Sequence, residues 1–200
     1  MNRHHVPVLA DAVITGLNIN PAGVYVDGTC GFGGHAGMIA ERLTTGRLIA
    51  VDRDGDAIRE SEQRLAPYAD KVTIVRDNFN NIPEILDNLS IDLIDGCLLD
   101  LGVSSYQLDT PGRGFSYIRD CPLDMRMDDR QALTAAEIVN TYDEDKLTDI
   151  LYAGEERHAR RIARAVVTKR SEHSITTTGE LVRIIEAAVP DAAKKKATRR

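Results

Sequence analysis

Four short runs of β-branched and apolar residues, each closing on an aspartate, constrain the fold more than any other feature of the sequence. They are residues 24–27, 47–52, 71–77 and 94–100. Helix-like stretches at about 34–44, 54–66 and 80–89 separate them. Strands joined through helices of that length pair in parallel, because a parallel neighbour is reached only by a crossover. The expectation is an α/β fold whose strand-end acids Asp27, Asp52, Asp77 and Asp100 line the carboxyl edge of one sheet, where open α/β folds bind ligands.

Beyond Gly102 the texture changes. Residues 103–124 are rich in Ser, Gly, Pro and Asp and read as a long loop, of the kind that in a compact domain usually carries function. From about residue 132 the pattern is helical, with Ile138, Leu147, Ile150, Leu151, Ile162, Val166 and Val167 as core positions and a further helix opening at 176–180. The domain reading is a ligand-binding core at 1–105, a functional loop at 106–124 and a helical part at 125–200. Helices alone after the fourth strand would leave that strand at an edge, although its apolar composition suits a central place. Later strands are therefore expected after residue 200.

Charge is distributed unevenly. Residues 1–152 hold 13 Lys and Arg against 25 Asp and Glu (−12), whereas residues 153–200 hold 12 against 6 (+6). A basic quarter on an acidic body suits a polyanionic partner on one face. Four arginines, Arg157, Arg160, Arg161 and Arg164, have the spacing of a single helix face and are read as contacts to a nucleic-acid backbone, with salt bridging to Glu155 and Glu156 as the alternative. No apolar run approaches the roughly 20 residues that cross a bilayer, so no membrane role is expected. Cys30, Cys97 and Cys121 are an odd number at scattered spacings. They are expected to be free thiols in the cytoplasm, and no metal site is expected.

The densest chemistry follows the first strand, in Val26-Asp27-Gly28-Thr29-Cys30-Gly31-Phe32-Gly33-Gly34-His35. Glycines there let the backbone turn sharply and approach a ligand, and a helix opening at Gly34 or His35 would aim free N–H groups at it. The pattern Gly31-x-Gly33-x-x-Ala36 also fits a dinucleotide loop, with Asp52 about 20 residues on, so spacing alone leaves a nicotinamide cofactor open. Asp27 at the strand tip favours a ligand with a cationic amino group, such as the methionine part of S-adenosylmethionine. Asp52 suits two ribose hydroxyls, with Asp54 available as helix N-cap. Phe79 falls where an adenine would lie, and core packing is its competing role. Asp100 would stand beside a transferable group, either contacting the cofactor or turning an amine lone pair toward it.

Six segments in order carry a resemblance: VDGTCGFGGH, AVDRD, LLDLGVSSYQLD, RGFSY, PLDMRMD and GEERHARRIARAV. Together they resemble the bacterial small-subunit (16S) ribosomal RNA cytosine-N4 methyltransferases. The resemblance implies a Rossmann-like class I methyltransferase sheet with an inserted α-helical domain, and S-adenosylmethionine as methyl donor. The implied substrate is ribosomal RNA or the assembled small subunit, at a cytosine in the decoding region. It implies cofactor contacts at Gly33, Gly34, His35, Asp52, Phe79, Asp100 and Gln107, and Asp100 is also the catalytic candidate. The family continues past residue 200. Two other readings stay open from the residues themselves: a nicotinamide-dependent oxidoreductase and a non-catalytic RNA-binding module.

Overall fold

A computed structural model describes residues 7–190. Its contacts divide the chain into two compact units. The first takes the chain to Gly102 and also includes Met127–Asp129; the second takes Val103–Arg126 and the chain from Arg130 onward.

The first unit opens with α1 (Ala10–Leu17), whose sequence drew no expectation. It then alternates β1 (Val24–Asp27), α2 (Gly34–Arg42), β2 (Arg47–Asp52), α3 (Gly55–Leu65), β3 (Val72–Arg76), α4 (Ile82–Asn88) and β4 (Gly96–Leu98). The four strands are parallel in the order β3-β2-β1-β4. Successive side chains on a strand point to opposite faces, so each strand serves two cores. Tyr25, Leu48 and Ala50 pack with Ala36, Ile39 and Ala40 of α2, with Leu65 closing α3, and with Ile14 and Leu17 of α1. Val26, Ile49 and Val51 pack on the other face with Ile85 of α4. The parallel α/β sheet is the one expected from the strand and helix spacing, and it is the Rossmann-like arrangement that the family resemblance implies.

Chain order reverses between β1 and β4, and that reversal opens a crevice at the carboxyl ends of these two strands. β4 does sit at an edge. It is shorter than its apolar run because only three of its residues find a partner, all on β1. Cys97, Leu93, Leu99 and Leu101 around it are exposed.

In the second unit the long loop contains a helical turn, α5 (Ser105–Asp109). The helices α6 (Ala135–Thr141), α7 (Glu144–Ala153), α8 (Ala159–Arg170) and α9 (Thr178–Ala188) follow. Their core joins Leu147, Ile162, Ala163, Val166, Ile175 and Ala188 with Leu123 from the loop. Leu123, rather than Phe115 or Met125, is thus the loop's buried anchor: Phe115 is half-buried and Met125 exposed. Asn140 clamps Ile175 by donating to its carbonyl at 2.7 Å and accepting its N–H at 2.9 Å.

One expectation needs correction. α8 begins at Ala159, so Arg157 lies in the turn before it and only Arg160, Arg161 and Arg164 are on the helix. The helix cannot start earlier because Glu156 accepts the His158 N–H at 2.7 Å and turns the chain there. Among the described residues no helix is long and apolar enough to cross a membrane.

Candidate cofactor-binding site

The crevice at the reversal point is built from four strand ends. After β1 the chain is pinned on both sides: the Gly28 N–H donates to the Leu98 carbonyl at 2.9 Å, and the Cys30 N–H to that of Val51 at 2.9 Å. The turn then closes through Gly33, which sits at φ 74° as the N-cap of α2. A side chain is strained in that left-handed conformation, which is why the position calls for glycine. Gly34 and His35 form the first turn of α2, whose amides have no acceptor inside the helix and point toward the crevice end of the sheet.

Asp27 is 1% exposed. One carboxylate oxygen accepts the Thr29 N–H at 3.1 Å, and the other, Oδ2, is a buried polar atom with no partner. Burial, followed by the neighbouring charges of Asp52 and Asp100, pushes its pKa from 3.8 up to about 7. An unmet buried acceptor is costly, and native structures keep such groups where something else binds.

Asp52 ends β2 half-buried. Its two oxygens accept the Gly31 N–H at 2.8 Å and the Asp54 N–H at 2.9 Å, so this carboxylate braces the glycine loop from below. Desolvation raises its pKa as well. Asp54, not Asp52, caps α3, accepting the Asp56 N–H at 3.0 Å, which removes the capping alternative for Asp52.

Phe79 opens a 3-10 turn after β3 and is half-buried. Asp100 follows β4 and is exposed, with its N–H donated to the Thr29 hydroxyl at 2.7 Å. That bond ties the ends of β1 and β4 together. Nothing in the spacing of Thr29 marked it for this role.

Two of the sequence candidates have side chains with local duties. His35 is buried, and its Nε2 lies 2.9 Å from the Val8 carbonyl oxygen. A carbonyl only accepts, so that nitrogen carries the proton. His35 therefore faces the crevice with its backbone, while the imidazole holds the segment before α1. Gln107 belongs to the second unit. Its carboxamide oxygen accepts the Ser104 N–H at 2.9 Å and its own N–H donates to Ser104 Oγ at 3.2 Å, forming the capping box of α5. Gly33, Gly34, His35, Asp52, Phe79 and Asp100 thus share the carboxyl edge of the sheet in the first unit.

Residues 2–200 match the MraW methylase family. The chain belongs to that family. Among curated relatives, it is 54% identical over 193 residues to a protein of Agathobacter rectalis named ribosomal RNA small subunit methyltransferase H 2, covering 95% of this chain and 62% of that one. It is 50% identical over 194 residues to ribosomal RNA small subunit methyltransferase H of Brevibacillus brevis, covering 96% and 62%. Against the protein of that name from Lachnospira eligens the identity is 52% over 200 residues, covering 99% and 63%. The chain therefore spans somewhat less than two thirds of the length of these relatives.

Proposed function

We propose that this chain holds the cofactor and engages the RNA in an S-adenosylmethionine-dependent methyltransferase that modifies N4 of a cytosine in the decoding region of small-subunit ribosomal RNA. The enzyme works in the cytoplasm, on the RNA or on the assembled subunit. The observation that carries the cofactor assignment is the unmet Asp27 oxygen among three mutually repelling carboxylates. S-adenosylmethionine brings an ammonium and a sulfonium, both cationic, and each lowers the energy of that cluster. A nicotinamide dinucleotide would instead bring a pyrophosphate to the same edge, which the three acids disfavour.

In this reading Asp27 binds the ammonium and the amides of Gly34 and His35 meet the anionic carboxylate at the α2 terminus, while Gly33, whose own N–H donates to the Cys30 carbonyl at 2.9 Å, makes the turn that presents them. Asp52 accepts the ribose hydroxyls with its remaining lone pairs, and Phe79 packs on the adenine. The cofactor supplies an electrophilic methyl group. Asp100 would accept a hydrogen from the cytosine amine, turning the nitrogen lone pair in line with the methyl, and would take up the proton released as the N–C bond forms and the methyl–sulfur bond breaks to leave a neutral thioether. Reaching an exocyclic amine requires the base to be unstacked. The arginines at the start of α8 hold the RNA backbone.

Calorimetry with S-adenosylmethionine and NAD tests the assignment. The chain is expected to bind the former and not the latter, and Asp52→Ala is expected to weaken binding about 30-fold, the loss of two hydrogen bonds at a net of about 1 kcal/mol each. Equal binding of NAD, or an Asp52→Ala chain that is folded and binds normally, would refute it.

A further inference from the structure

Met127 and Asp128 close the PLDMRMD segment and Asp129 follows it, and neither cofactor binding nor methyl transfer gives these three residues work. They belong to the first unit, although the chain on either side of them belongs to the second. Their contacts converge on the turn after β2. Arg53 Nη2 donates to the Met127 sulfur at 3.0 Å. Arg76 Nη2 lies 3.4 Å from Asp128 Oδ1 and also pairs with Asp129. Arg76 Nε in turn donates to the Arg53 carbonyl at 3.4 Å.

Arg76 stands directly opposite Asp52 in the β2–β3 register, and the next N–H, of Asp77, donates to the Asp52 carbonyl at 3.0 Å. Its guanidinium passes over Gly55, where a Cβ would stand 2.8 Å from Cζ. A cation at that place faces the positive end of α3, so it needs carboxylates to keep it there. Asp128, 8% exposed, and Asp129 supply them. A planar guanidinium held through Nε and Nη2 together is fixed in orientation as well as position.

We propose that Met127–Asp129 is a strap that sets the turn 52–54, and that Arg76 and Asp128 are positioning residues for the ribose-binding carboxylate of Asp52. The strap holds Arg53 by its side chain through Met127 and by its carbonyl through Arg76. Arg53 is the residue between Asp52 and the helix cap Asp54, so its backbone decides where the Asp52 carboxylate points. This inference rests on the cofactor role proposed above for Asp52.

The test is calorimetric titration of the full chain with S-adenosylhomocysteine, alongside thermal unfolding without ligand. Asp128→Asn and Arg76→Gln are each expected to raise the Kd about tenfold. The double variant should be no weaker than Arg76→Gln alone, and Arg76→Lys should recover part of the loss. Should Arg76→Gln fail to fold, Asp129→Asn, at a side chain 75% exposed, is expected to weaken binding about threefold. Variants that unfold at lower temperature yet bind with unaltered Kd would overturn the strap and leave the cofactor reading standing. A native chain that is folded and does not bind would overturn the cofactor reading and the strap with it.

Discussion

Asp27→Asn is expected to weaken S-adenosylmethionine binding by 100-fold or more while making the ligand-free chain more stable above pH 7. Both effects come from one carboxylate. Buried, with Oδ2 unpartnered and its pKa pushed up to about 7, Asp27 is an acid whose ionisation the fold opposes. A raised folded-state pKa means that the stability present below the unfolded value of 3.8 is lost as the pH rises through about 7. A rise of that size corresponds to about 4 kcal/mol, which the ligand-free protein gives up well above pH 7 and recovers when a cation binds. The asparagine variant removes the charge. It should unfold several degrees higher than the native chain at pH 8, keep about half of that margin at pH 5.5, and lose it only near pH 4, where Asp27 is protonated in the folded and the unfolded chain alike. Removing one partner of a buried charge pair costs about 3–5 kcal/mol, which sets the 100-fold loss. For the native chain, affinity should fall roughly 20-fold from pH 7.5 to pH 5.5 as the carboxylate takes up its proton. The variant's affinity should be flat over that range. A native profile without slope would remove Asp27 from the ammonium site.

Asp27 was legible in the sequence because its signal is local: an acid at the tip of a β-branched run, followed by glycines. Parallel pairing and a ligand-binding carboxyl edge followed from the same alternation, since crossover length is a property of consecutive segments, whereas the order β3-β2-β1-β4 did not. Asp54 as the cap of α3 was also readable from its place just before the helix. Other features were hidden because they depend on partners far apart in sequence. The imidazole of His35 meets Val8, 27 residues away, and Arg76 meets Asp128, 52 residues away. No periodicity marks either pair. β4 was read as longer than it is because its run of apolar residues records what the strand prefers to be buried against, whereas pairing depends on neighbours, and only β1 supplies one. α1 escaped notice since its eight residues place Val13, Ile14 and Thr15 side by side and then Gly16, which gives little helical contrast. The arginine run showed the opposite error. Spacing alone extended the helix back to Arg157, while the Glu156 carboxylate fixes the turn that delays it.

That correction sharpens what the arginines do. α8 has no acid in its first turn and no side-chain cap, yet Arg160 and Arg161 occupy that turn and Arg157 lies just before it. Cations at the positive end of a helix are unfavourable by a few tenths of a kcal/mol each, so stability does not explain them. The rival account is salt bridging to Glu155 and Glu156; Arg164 pairs instead with Glu144, at 3.4 Å. Glu156 turns its Oε1 to the His158 N–H at 2.7 Å. The three exposed arginines and the helix terminus thus place positive charge on one spot, an arrangement suited to phosphate. Replacing Arg157, Arg160 and Arg161 together by alanine is expected to weaken ribosomal RNA binding roughly 100-fold at about 0.1 M salt, and to reduce the slope of log K against log salt by roughly 2 to 3. Cofactor binding should not change, and the unfolding temperature should stay the same or rise slightly. Filter binding across a salt series measures both RNA quantities. An unchanged slope would show that these arginines release no counterions from the RNA and would return them to the solvated surface.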